Sequence, residues 1–113
     1  MIEVRRADDN ELCGWIREDA GSWAACTIFG AVLAGGLTQA EATNFVLDNG
    51  LAALSEPWAF IASPGEEEQV VRIVEASPSM VRLALDFYSL PGVPTVTLTS
   101  ADLENGVSLR PWR

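Results

Sequence analysis

The chain contains few of the side chains that enzymes use for acid–base, nucleophilic or metal chemistry. It has no histidine, which is the usual general base near neutral pH and a common metal ligand. Catalysis of the Ser-His-Asp or Cys-His kind is therefore excluded, and two cysteines cannot by themselves close a four-ligand zinc site. Ser22, Ser55 and Ser79 lack the Gly-x-Ser-x-Gly context of an activated nucleophile. We predict no catalytic residue, no metal ligand and no bound cofactor.

Cys13 and Cys26 form a candidate redox pair. If the two strands that contain them pair about a turn at residues 18–21, Cys13 lies opposite Cys26 and Trp15 lies opposite Ala24. Cβ atoms of residues that face each other across strands are about 4.5–5.5 Å apart, close to disulfide reach. The alternative, which we favour, is that both are reduced, buried thiols that pack as small apolar side chains.

Three residues are candidates for contact with a partner: Trp112, Arg72 and Arg82. Tryptophan is enriched at binding hot spots, and we expect Trp112, near the end of the sequence, to be partly exposed. Arg72 and Arg82 fall on the outward side of a predicted hairpin, where two guanidinium groups could hold an anion or an acidic partner. The alternative, which we favour, is a solvated face with local ion pairs to Glu75 or Asp86.

The charge of the chain restricts its partners. Sixteen acidic residues against seven basic ones give a formal net charge of −9, which repels phosphate backbones and anionic lipid surfaces. We therefore predict no nucleic-acid partner and no membrane partner. The acidic run Glu66, Glu67 and Glu68, together with Asp8 and Asp9, could dock a basic protein, as acidic inhibitors, immunity-type proteins and nucleic-acid mimics do. The alternative is that these acids serve solubility.

One uncharged stretch has the length of a membrane span. Residues 20–40 carry no charge, but Ala, Gly, Thr, Ser and Gln are as frequent there as large apolar residues, and acids flank both sides. The pair Gly35-Gly36 predicts a turn between a strand and the helix cap that follows. The first residues lack the apolar segment of a signal peptide, so we expect a cytoplasmic location.

Hydrophobic periodicity predicts the elements that hold these residues. Short stretches of alternating apolar and polar residues predict strands joined by short links. Thr38 and Glu41 form a capping-box pattern at the start of a helix, and Gly50 after Asn49 suits a left-handed helix end. The predicted fold is α+β: a mainly antiparallel, curled sheet or half-barrel of five to seven short strands, with one main helix at about residues 38–49 packed on it. We expect residues 1–113 to form a single globular domain.

The supply of apolar residues predicts an interface. Hydrophobic residues make up 49% of the chain and the mean hydropathy is +0.18, while one helix cannot cover both faces of such a sheet. Contiguous exposed apolar patches usually mark interfaces, and a twofold homodimer buries such a patch. We therefore expect a small non-catalytic protein-interaction or accessory domain, whose partner is a protein or a second copy of itself. The alternatives are an acidic inhibitor, immunity-type protein or nucleic-acid mimic, and a small enzyme that uses carboxylate and arginine chemistry.

Overall fold

The computed structural model describes residues 1–85, 92 and 94–112 and confirms the predicted α+β class. Within these residues nine strands form two antiparallel sheets, where we predicted five to seven strands. The contacts of the chain gather into two compact units, Met1–Ala53 and Leu54–Arg113. The single globular domain stays a prediction.

The first unit is a four-stranded sheet covered by a helix. The sheet has the order β1-β2-β3-β4; its strands are β1 (Ile2–Arg5), β2 (Leu12–Asp19), β3 (Ser22–Cys26) and β4 (Val32–Leu37). Helix α1 (Gln39–Asn49) packs on this sheet. The buried core between them consists of apolar side chains from three of the strands and from α1: Val4, Cys13, Ile16, Ala25, Ala42 and Val46, with Trp23, Leu37, Phe45 and Leu51 packed around it.

The turn that we predicted at Gly35-Gly36 is wrong, because both glycines lie inside β4. The chain reverses earlier, at residues 27–31. There the buried Thr27 hydroxyl accepts a hydrogen bond from the Ala31 amide at 3.1 Å, and two backbone bonds close the same loop. The buried threonine therefore stabilises the turn at this position, since its hydroxyl is hydrogen-bonded to the backbone.

The predicted start of the helix is confirmed. Thr38 is the N-cap, and its hydroxyl accepts a hydrogen bond from the Glu41 amide at 3.1 Å. The Glu41 carboxylate in turn accepts from the Thr38 amide at 2.9 Å. This reciprocal pair satisfies two of the four amides that every helix start leaves without an intrahelical partner.

The predicted left-handed conformation of Gly50 is wrong, since this residue is right-handed helical with φ −57° and ψ −48°. Glycine is needed here because α1 lies so close to β2. A Cβ atom on Gly50 would overlap the Cys13 carbonyl oxygen and come within 2.7 Å of the Val46 carbonyl oxygen. Gly14 on β2 has the same role: its Cβ would overlap the Cys26 carbonyl oxygen and approach Val46 Cγ1 to 2.9 Å.

The second unit begins within a 3-10 helix, Ala52–Ser55. Its sheet has the order β8-β7-β6-β5-β9; the strands are β5 (Trp58–Ile61), β6 (Gln69–Ala76), β7 (Met80–Ala84), β8 (Thr95–Thr99) and β9 (Ser108–Pro111). The short helix α2 (Ser100–Glu104) follows β8 directly and is capped by Thr99. The outer strands of this sheet are therefore β8 and β9.

In the described part of the chain, no helix has both the length and the apolar character that a bilayer crossing requires.

Replacing Thr38 by alanine should lower the free energy of unfolding by about 1 kcal/mol, because the Glu41 amide loses its capping acceptor. The midpoint of urea unfolding, followed by circular dichroism, measures this change. An unchanged midpoint would show that the capping box does not stabilise α1.

Replacing Gly50 by alanine should destabilise the protein by about 1–3 kcal/mol, since the added methyl group forces α1 away from the Cys13 carbonyl. The matched control is Gly35→Ala, where a Cβ meets no atom within 4 Å and the unfolding midpoint should hardly move. Equal midpoints for the two variants would contradict the close packing of α1 on β2.

Candidate functional site

The structure forms a groove around Trp112. Its described lining residues are Glu56, Pro57, Pro111 and Trp112, and its volume is about 290 Å³. The Trp112 amide donates to the Pro57 carbonyl at 3.2 Å, which continues the pairing of β9 with β5 and fixes the backbone there. Trp112 is nevertheless 45% exposed. The groove therefore includes an exposed tryptophan whose backbone is fixed by the sheet.

The residues around the groove suit an apolar or proline-containing ligand with a basic group beside it. The rings of Pro57 and Pro111 fix their own backbone and lose little entropy on binding. Indole is a preferred surface for prolines, aromatic rings and cationic side chains. The acidic residue Glu56 also lines this groove. Our sequence reasoning found Trp112 but missed Glu56 and Pro57, which are far from it in the chain and adjoin it because β9 pairs with β5.

The two candidate arginines do not join Trp112 among the described residues that line the groove. One amino group of Arg72, Nη1, donates to the Ser55 carbonyl at 2.8 Å. Arg82 lies opposite Glu75 across β6 and β7, with 3.7 Å between Nη1 and Oε1. Both Arg82 and Glu75 are about half exposed, so this ion pair contributes little stability. The structure places each arginine beside a local partner.

The predicted pairing of Cys13 with Cys26 rests on a wrong strand register. In the structure Trp15 lies opposite Cys26 and Ile16 lies opposite Ala25, which is a shift of two residues from the register that we predicted. Cys13 therefore lies beyond the end of the β2–β3 pairing, and Cys26 faces a tryptophan instead of a thiol.

A β-bulge also turns the two thiols to different faces of the sheet. β1 pairs Val4 with Gly14 and its next residue with Leu12, so Cys13 is the extra residue of a bulge. The bulge directs Cys13 into the core under α1, together with Ile16. Cys26 lies opposite Trp15, one residue from Ile16, and is therefore on the other face.

Both cysteines are buried and free. The Cys13 thiol lies 3.6 Å from the Glu11 carbonyl oxygen, to which it donates a weak hydrogen bond. Burial raises the pKa of the Cys26 thiol. Because the thiolate is the reactive form, this shift keeps Cys26 protonated and unreactive near neutral pH.

The acidic side chains are spread over the surface. The run Glu66, Glu67 and Glu68 is exposed, and Glu68 forms an ion pair with Arg110 at 2.6 Å. A hydrogen bond from the Glu11 amide, followed by one from Arg6, lowers the pKa of the exposed Asp9 carboxyl. In residues 1–85, 92 and 94–112, no three potential metal-ligating side chains gather at one point.

No protein-family model, curated protein or solved structure matches this chain.

The native protein should resist formation of a Cys13–Cys26 disulfide, because the two thiols face opposite sides of the sheet. After treatment with diamide and removal of the reagent, thiol titration of the denatured protein should still give two thiols per chain. The matched positive control is Trp15→Cys, which places a thiol directly opposite Cys26 and should become oxidised. Peptide mapping that finds a Cys13–Cys26 disulfide in the native protein would contradict the register.

Proposed function

We propose that this chain is a non-catalytic protein-interaction domain that binds a short segment of a partner protein in the Trp112 groove. The observation that supports this proposal is the exposed Trp112, whose backbone the β5–β9 pairing fixes, in a groove that Pro57 and Pro111 also line. Tryptophan anchors of this kind supply a large share of binding energy when a partner covers them.

The charges at the groove favour a basic partner. Glu56 lines it, and the chain has a formal net charge of −9, which steers positively charged proteins towards the surface. The nearby Arg110 is offset by Glu68. We therefore propose a segment in which lysine or arginine stands next to proline or an aromatic residue. The alternative role of an acidic inhibitor also implies a basic target, so the two roles share this kind of partner.

The small-enzyme alternative needs a carboxylate with a raised pKa in a pocket. The hydrogen bonds from the Glu11 amide and from Arg6 lower the pKa of the exposed Asp9 carboxyl, which is the opposite of what such a role needs. The exposed Trp112 in its groove supports the interaction role instead. We also propose a cytoplasmic location, which the two free thiols favour because that compartment keeps cysteines reduced.

Selection from a displayed library of random short peptides should test the proposed role. We expect the selected peptides to contain lysine or arginine beside proline or an aromatic residue. Trp112→Ala should weaken their binding at least tenfold, or about 1.4 kcal/mol, as measured by isothermal titration calorimetry. Glu56→Gln should weaken the basic peptides and leave uncharged peptides unaffected.

Val74→Ala is the matched control, since Val74 is an exposed apolar residue on β6, away from the groove lining. It should bind the selected peptides as the unmodified chain does. Peptides that bind the Trp112→Ala variant with undiminished affinity would refute the groove as the binding site.

A further inference from the structure

In the described part of the chain the two sheets have four outer strands, and three of them carry a feature that disfavours pairing with another chain. β1 carries the exposed charges of Glu3 and Arg5. β4 pairs with β3 through two register shifts, which bend the strand. β9 carries Arg110 and ends at Pro111. Charge, irregularity and proline are the usual means by which proteins protect sheet edges.

β8 has none of these features. Its sequence, Thr95–Thr99, contains no charge and no proline, and it pairs with β7 residue by residue without a shift. Thr95, Thr97 and Thr99 are exposed, while Val96 and Leu98 turn towards the core. Among the described residues, no strand pairs with the outer side of β8. A regular, uncharged strand in which four of five residues are β-branched is a template for strand addition.

The hydrogen bonds identify the backbone groups on that outer side. The Leu85 amide donates to the Pro94 carbonyl at 2.9 Å, so this pair occupies a hydrogen-bonded position of the antiparallel ladder. Such positions alternate along a strand. The backbone N–H and C=O groups of Val96 and Leu98 therefore bond to β7, whereas those of Thr95 and Thr97 point away from β7.

The same alternation turns the Thr99 amide outward, where it already donates to the Asp102 carboxylate at 2.8 Å. The outer side of β8 therefore offers two N–H and two C=O groups, from Thr95 and Thr97.

We propose that β8 pairs with β8 of a second copy of this chain across a twofold axis. Antiparallel pairing that sets Thr95 opposite Thr97 of the second copy gives four hydrogen bonds and uses all the outward groups of both residues. Val96 then lies opposite its own counterpart at a non-hydrogen-bonded position. The two five-stranded sheets join into one sheet of ten strands.

The pattern of the strand favours a second copy over a different protein. In this register threonine meets threonine on the exposed face and valine meets valine on the other, and both are favourable cross-strand pairs. The charge opposite Thr97 on β7 is Arg82. The two copies of Arg82 are three strand spacings apart, about 14 Å, which exceeds the screening length of about 8 Å at physiological salt.

This inference goes beyond the proposed function, because β8 and β9 are at opposite ends of the same sheet. Pairing at β8 leaves the Trp112 groove unoccupied in each copy. Loss of dimerisation and loss of peptide binding are therefore distinguishable in the same preparation.

Analytical ultracentrifugation of the full chain at 100 μM in 0.15 M salt tests the pairing. We expect twice the mass of the 12.2 kDa chain for the unmodified protein, and the mass of one chain for Thr97→Lys. Thr97→Pro should also be monomeric, since it removes an outward N–H and leaves the bonds to β7 intact. Ala62→Lys, in an exposed segment after β5, makes the same charge change and should stay dimeric.

A monomeric unmodified chain would overturn the proposal, and so would dimers that persist in both Thr97 variants. Cysteine crosslinking then tests the register. Val96→Cys should form an intermolecular disulfide under mild oxidation, since non-hydrogen-bonded pairs bring Cα atoms to about 4.5 Å. Crosslinking of Thr97→Cys in place of Val96→Cys would overturn this register.

Discussion

The outer strands of a sheet carry backbone N–H and C=O groups that no strand of the same sheet can satisfy, and such groups must meet water, a side chain or another chain. Over residues 1–85, 92 and 94–112, the two sheets have four such edges. At Thr99 a carboxylate of the same chain accepts the outward amide. For the outward N–H and C=O groups of Thr95 and Thr97, the described residues supply no such hydrogen-bond partner, and this difference is the basis of the proposed dimer.

The other end of the same sheet shows how one residue can serve two purposes. Pro111 has no N–H to offer, so β9 is a poor template for strand addition. The same ring lines the groove beside Trp112. The β9 edge is therefore unsuited to strand addition and instead presents side chains for binding. We interpret the five-stranded sheet as one scaffold with a backbone interface at β8 and a side-chain interface at β9.

Local sequence signals predicted the elements that depend on neighbouring residues. The reciprocal bonds of Thr38 and Glu41 involve residues three apart, so the start of α1 could be predicted from the pattern alone. The α+β class followed in the same way from periodicity. Trp112 could be chosen as an exposed residue, but its partners in the groove depend on the pairing of strands some fifty residues apart in the chain.

Features that depend on distant contacts were predicted wrongly or missed. The register of β2 against β3 depends on a bulge at Cys13, which a turn-based alignment does not reveal. Gly50 was assigned to a left-handed position because its neighbours fit that pattern. The actual reason for glycine is the carbonyl of Cys13, thirty-seven residues earlier. Packing between elements therefore determines the β2–β3 register and the need for glycine at position 50, and sequence spacing alone does not predict either.

Amide hydrogen exchange of individual residues, measured by NMR at low and high protein concentration, tests the proposed pairing of β8 with a second copy most directly. The Thr95 and Thr97 amides should exchange quickly in dilute solution and be protected at high concentration, as the dimer forms. The Leu109 amide is the internal control. Phe60 faces Leu109 at a non-hydrogen-bonded position of β5–β9, so this amide points away from β5. It should exchange at the same rate at both protein concentrations. Thr95 and Thr97 amides whose exchange is independent of concentration would contradict the account.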